Sequence, residues 1–236
     1  MDKIVYSLLI AASWIAHILP MRINYILSDF FFLLTYYVIQ YRKKVVRKNL
    51  KNSFPDKSEE ERLKIEKKFF RHLCDTFIET LCFYRFSSGE AKRRCSFLNP
   101  ELANDYMRQG RPVVAFLGHY NNWEWMTNWP LFSEYRFYPI YKKLKSKAFE
   151  RFYINLRSRF GAVPLERADT YRQLIEDAKN GVPTFTAFLA DQTPRINDIQ
   201  YWTTFLNQDT AVITGLEKIA RKTNAVVIGA HMRKIR

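Results

Sequence analysis

Of the four histidines, only His119 has a carboxylate five positions later, Glu124, in the stretch Gly118-His119-Tyr120-Asn121-Asn122-Trp123-Glu124. An imidazole paired with a carboxylate is a general base: the carboxylate fixes the tautomer and stabilises the imidazolium that forms. Residues five apart on one continuous helix lie about 140° apart around its axis and do not meet. The pair therefore requires His119 to precede a helix and Glu124 to sit in its first turn. The residues predict such a break, with Asn121 as a suitable N-cap and Glu124 at N3. The same residues allow a plainer arrangement, a capping-box carboxylate beside a loop histidine.

Other side chains suited to chemistry cluster downstream. Asp191-Gln192-Thr193-Pro194 follows a strand-like run, a position that also suits a turn-forming Asp ahead of proline. Between residues 142 and 167 the chain is rich in Lys and Arg, most of which read as a solvated helix face. Lys142, just past a strand end, and Arg159, in the last turn before Gly161, are the two expected to meet a phosphorylated headgroup or a phosphopantetheine arm. Trp123, Trp125, Met126 and Trp129 form a stripe that suits either core or the lining of an acyl channel. Cys74, Cys82 and Cys95 include no Cys-x-x-Cys pair, which argues against a zinc ribbon or a disulfide scaffold and for a reducing compartment. No metal site and no glycine-rich phosphate loop is recognisable, so neither a metal nor a nucleotide cofactor is expected.

The elements that must position these residues can be read from periodicity. Val113 to Leu117, Phe137 to Tyr141, Pro183 to Ala190 and Ala225 to Ala230 are apolar runs of buried-strand type. Helical patterns separate them over Ser146–Phe160, Asp169–Asn180 and Ala211–Thr223, the first two ending at Gly161 and Gly181. Continuous apolar strands alternating with helices predict an α/β fold, a mostly parallel central sheet with helices on both faces. His119 and Asp191 then lie just beyond the carboxyl ends of strands, where open α/β sheets carry their sites. Residues 56 to 86 read as one long helix with Ser58 and Asp56 available as caps and an acidic first turn.

The composition bounds the partners. Hydrophobic residues make up 47% of 236, enough for a sizeable core, and the formal charge of +15 predicts an acidic partner. Aromatic residues at 16% suit contact with lipid. Ile4 to Leu19 runs almost without charge but is short for a perpendicular span of about 20 residues. The apolar run 23 to 41 carries Asn24 and Asp29, so it is expected to pack partly against protein. Arg42, Lys43, Lys44, Arg47, Lys48 and Lys51 follow at once, as expected on the cytoplasmic side of a membrane-associated segment. The expected organisation is therefore residues 1–41 as membrane-anchoring apolar helices, 42–111 as a basic linker and long helical region, and 112–236 as the α/β core, truncated at its C-terminus. No nucleic-acid recognition motif is present.

These residues carry a resemblance. Gly118-His119-x4-Glu124 after a Val-Val-Ala-Phe strand resembles the His-x4-Asp/Glu signature of glycerolipid-type acyltransferases. More closely, the chain resembles the lipid A biosynthesis, or late, acyltransferases of Gram-negative bacteria. The likeness spans nearly the whole chain in consistent order: the apolar N-terminus, residues 41–55, Ile140-Tyr141-Lys142-Lys143, Asp191-Gln192, and the closing segment 215–230. The style of Arg42 to Leu50 is similar to the Bacteroidetes branch. Departures are Lys142, where the family often has Arg, and Phe205-Leu206-Asn207, where it often has Phe-Gly. The resemblance implies an inner-membrane enzyme, on the cytoplasmic face, that moves an acyl chain from acyl carrier protein to a hydroxyl of a lipid A precursor. It implies His119 as base, Glu124 as its orienting carboxylate, and site roles for Asn121, Asp191 and Gln192. A lysophospholipid or aminolipid acyltransferase, or a non-catalytic membrane adaptor on the same fold, is the alternative.

Overall fold

The computed structural model describes residues 1–235. Its strands are β1 (Val113–Leu117), β2 (Arg136–Tyr141), β3 (Leu165–Glu166), β4 (Thr184–Leu189), β5 (Trp202–Phe205), β6 (Gln208–Ala211) and β7 (Val226–Gly229). Five of them form one sheet in the order β3-β2-β4-β1-β7, with every neighbouring pair parallel. β5 and β6 form a separate antiparallel hairpin.

The α/β expectation therefore holds, and the pleat of β1 shows why its run is continuously apolar. Val113 and Ala115 face a layer containing Met107 of α6 (Pro100–Arg108), Trp129, Phe137 and Phe185. Val114, between them, faces the other layer with Leu174 of α8 (Thr170–Lys179) and Ile219 of α9 (Gly215–Thr223). A strand covered on both faces has no polar side to declare.

Two boundaries are corrected. The helix expected to begin at Ala211 begins at Gly215, because Gln208–Ala211 is the return strand of the hairpin. The helix expected to be capped by Asn121 is instead a 3-10 segment, Trp123–Leu131, with no side-chain cap. Asn121 takes φ 53°, and this left-handed residue turns the chain between His119 and that segment.

The N-terminal half is helical: α1 (Asp2–Ile18), α2 (Met21–Leu33) continued by a π-helical stretch Leu34–Ile39, α3 (Lys43–Ser53), α4 (Glu59–Phe83) and α5 (Ser88–Arg94). The start of α4 is fixed by a capping box. Ser58 Oγ accepts from the Glu61 amide at 3.2 Å, and the Glu61 carboxylate accepts from the Ser58 amide at 2.8 Å.

The second apolar run packs against protein as its polar residues predicted. Asn24, Ser28 and Phe32 are buried at helical spacing, while Asp29 is exposed. α2 is tied to α4 by Tyr25 to Glu79 at 2.9 Å and Ser28 to Asp75 at 2.7 Å. Just beyond it, Tyr36 donates to buried Glu66 at 2.8 Å. One core cluster combines Leu9 and Ala16 of α1, Ile78 and Phe83 of α4, and Phe152 and Leu156 of α7 (Lys147–Ser158), so the helical layer and the sheet unit share a core.

Among the described residues, no single helix is long and apolar enough to cross a membrane. The outward faces of α1 and α2 nonetheless expose Ile4, Leu8, Trp14, Ile15, Ile26 and Phe30.

Candidate active site

β1 and β4 are adjacent parallel strands in register, Leu117 opposite Leu189, and the ladder continues through the Ala190 amide to the Leu117 carbonyl at 3.0 Å. Two residues beyond each strand end stand His119 and Asp191. The register alone brings them side by side. His119 Nδ1 lies 2.6 Å from Asp191 Oδ1, and the His119 amide donates to Asp191 Oδ2 at 2.7 Å. A carboxylate only accepts, so Nδ1 carries the hydrogen and the lone pair is on Nε2. The bidentate grip explains Gly118: a Cβ there would lie 3.1 Å from Asp191 Oδ2, where the carboxylate sits against the backbone.

Nε2 points to the open side, 3.4 Å from the side-chain nitrogen of Gln192. The edge of Trp123 packs on the imidazole, ring centroids 4.7 Å apart. The His119 side chain is 27% exposed and Asp191 is 45% exposed, so the pair sits at a solvent-reaching rim, and its value lies in orientation more than in stability.

Glu124 does not make the contact that spacing suggested. It is buried, and both its oxygens hold Arg157 of α7, at 2.9 Å from Nε and 2.6 Å from a terminal nitrogen. The physical reason is the left-handed turn at Asn121 and the 3-10 winding, which carry Glu124 away from the imidazole and into the interior, where a carboxylate needs a full partner. Burial works against the Arg157 charge, but Glu124 outweighs it and holds the guanidinium above its ordinary value. Burial, reinforced by Glu124, pushes the neighbouring Tyr153 up to about 12.

Glu124, Thr127 and Arg157 form the polar part of the wall of a small, open pocket. The rest of its lining is apolar and includes Leu117, Trp123, Met126, Ile140 and Leu189. It lies under the carboxyl ends of β1, β2 and β4. The aromatic stripe thus divides. Trp123 and Met126 line the pocket, whereas Trp125 stacks on Phe83 and Trp129 on Phe185 in the core.

The remaining expected residues separate in the same way. Gln192 is at the imidazole. Lys142 is exposed just beyond β2, and the β2–β4 register, Pro139 opposite Ala187, brings its segment out beside the end of β4. Asn121 and Arg159 use their polar groups on the chain itself. Asn121 donates to the Met232 carbonyl at 2.9 Å, and Arg159 donates to the Phe86 carbonyl. Burial and the neighbouring Arg85 hold Arg159 below its ordinary value.

The loop 119–122 is braced from behind. Asn122 is buried and donates to Glu79 and to the Thr76 carbonyl, each at 3.2 Å. Glu79 also accepts from Tyr25 at 2.9 Å and from Lys234 at 3.4 Å. Sequence reading missed Arg157, two positions before the chosen Arg159, and the pairing of Asp191 with His119. The first has no local signal; for the second, both residues are legible at strand ends, but the adjacency of β1 and β4 that joins them is not.

A histidine gripped by an aspartate, at the carboxyl edge of a parallel sheet and beside a largely apolar pocket, is an arrangement able to accept a proton next to an apolar group. The chain belongs to the bacterial lipid A biosynthesis acyltransferase family, whose model matches residues 2–234. No curated protein matches it. The family supports transfer of an acyl group and a lipid acceptor of the lipid A type.

Proposed function

We propose that this protein transfers a fatty acyl chain from the thioester of acyl carrier protein to a hydroxyl of a lipid A precursor, at the cytoplasmic face of the inner membrane. The observation that carries the chemistry is the His119–Asp191 pair, which leaves Nε2 facing only the Gln192 side-chain amide at the sheet edge. Nε2 takes the hydroxyl proton while Asp191 stabilises the imidazolium. The oxygen attacks the thioester carbonyl, and the tetrahedral intermediate collapses with loss of the thiolate. The imidazolium returns its proton to that sulfur. The residues need no covalent enzyme intermediate for this sequence.

The acceptor hydroxyl takes the place beside Nε2 that the Gln192 amide now occupies, and the acyl chain enters the pocket beneath Trp123. Glu124 acts by fixing Arg157 in the pocket wall. Lys142 meets a phosphate of the headgroup or of the phosphopantetheine arm. The exposed apolar faces of α1 and α2 rest in the bilayer interface, and the charge of +15 suits both anionic lipid and an acidic carrier protein.

The test is thiol release from acyl carrier protein by the purified protein in detergent, with and without acceptor lipid. Acceptor-dependent release that falls about 10²- to 10⁴-fold in His119→Ala supports the reading. Release unchanged by the substitution contradicts it.

A further inference from the structure

The β5–β6 hairpin has an unusual turn. Its two loop residues are Leu206 and Asn207, both left-handed, at φ 49° and 59°. Turns of this kind favour Asn-Gly, and a leucine in the left-handed region costs about 1–2 kcal/mol. That cost places an apolar side chain at the tip. Trp202, Phe205 and Leu206 are 58%, 60% and 43% exposed, and they lie on both faces of the ribbon. A two-stranded hairpin whose first strand is exposed along its whole length is marginal in water.

Its turn is hydrogen-bonded to the end of a cationic helix. Asn207 donates to the Ser53 carbonyl, Gln208 donates to Ser53 Oγ, and Asn52 donates to Gln208, each at 3.2 Å. Those residues end α3, which buries none of its side chains. Lys44, Lys48 and Lys51 are exposed on α3 at spacings of four and three, so they share one face leading to the hairpin. Arg47, by contrast, is paired with buried Glu66 at 2.9 Å. Aromatic and leucine side chains beside a row of lysines without an ion-pair partner among the described residues complement an anionic bilayer surface, apolar groups into the acyl boundary and ammonium groups at the phosphates.

We infer that the β5–β6 hairpin inserts its exposed Trp202, Phe205 and Leu206 side chains into an anionic lipid bilayer, with the lysine row of α3 on the headgroups, as a membrane contact separate from α1 and α2. This rests on the membrane reading above and deepens it. The hairpin follows Asp191–Gln192 by ten residues, so its insertion sets the depth at which the dyad meets an acceptor lipid.

The test places a single environment-sensitive dye on the full chain at Leu206→Cys, at Ile15→Cys on α1, or at Lys179→Cys on α8. Vesicles of phosphatidylethanolamine and phosphatidylglycerol carry a shallow spin-label quencher. The native thiols are shielded, Cys74 and Cys82 buried and Cys95 partly so. The expected result is quenching at 206 and 15 and none at 179. Quenching at 15 without 206 overturns the hairpin contact and leaves the membrane reading standing; quenching at neither position overturns both. Leu206→Gly separates folding from binding, because glycine relieves the turn while removing the side chain. It should melt no lower than the parent and bind the vesicles several-fold more weakly; unchanged binding overturns the insertion.

Discussion

Replacing Glu124 with Gln isolates one charge. Gln keeps the shape of the side chain and a carbonyl that still accepts from Arg157, but leaves Arg157 as a buried cation without a counter-charge. The Glu124 and Arg157 side chains are 7% and 17% exposed, so water does little to compensate. Removing one partner of a buried pair costs about 3–5 kcal/mol, and the retained amide places this variant at the lower end, about 3 kcal/mol. For a chain of this length that lowers the melting temperature by roughly 6–12 °C. Arg157→Met should cost a similar amount by stranding the carboxylate. The double variant should recover much of the loss, giving a coupling above 1 kcal/mol in a double-mutant cycle. The assay is thermal unfolding of the four proteins in one detergent. An unchanged melting temperature for Glu124→Gln, together with lost turnover, would refute the structural assignment and return the orienting role to Glu124.

Gly118→Ala should fold normally, since its backbone is not left-handed, but the added methyl presses on Asp191 Oδ2. Turnover should fall about tenfold through misplacement of the dyad, with KM little changed; steady-state kinetics check it. Burial pushes the Cys82 thiol up to about 12 and the Cys95 thiol up to about 11. Both should resist iodoacetamide at pH 8 in the native protein and react once it is denatured, as read by mass spectrometry. The sign of the pH effect follows: from about pH 9 upward the unfolded thiols ionise while the folded ones do not, so stability falls with rising pH there.

Four of the sheet's five strands were legible because burial on both faces leaves continuous apolar runs, and because glycines stop the helices at Gly161 and Gly181; the two-residue β3 is too short to show such a run. The hairpin was not, since Leu206-Asn207 lacks the Asn-Gly signal that marks such turns, and Ala211, the last residue of its second strand, was read as the start of the helix after it. His119 and Asp191 were each legible as strand-end residues. Their meeting depends on strand order, which places β4 beside β1 although two strands separate them in sequence. The Glu124–Arg157 pair was hidden for a different reason. It rests on a left-handed Asn121 that was read as a cap, and on which helical turn of α7 faces the pocket.

The central claim is that Asp191 orients His119. Asp191→Asn tests it most directly, because the side chain is nearly half exposed and its replacement should leave the melting temperature unchanged. An amide disturbs the tautomer and removes the charge that stabilises the imidazolium, so thiol release from acyl carrier protein should fall on the order of 10²- to 10⁴-fold. Full turnover by a normally folded Asp191→Asn variant would contradict the account.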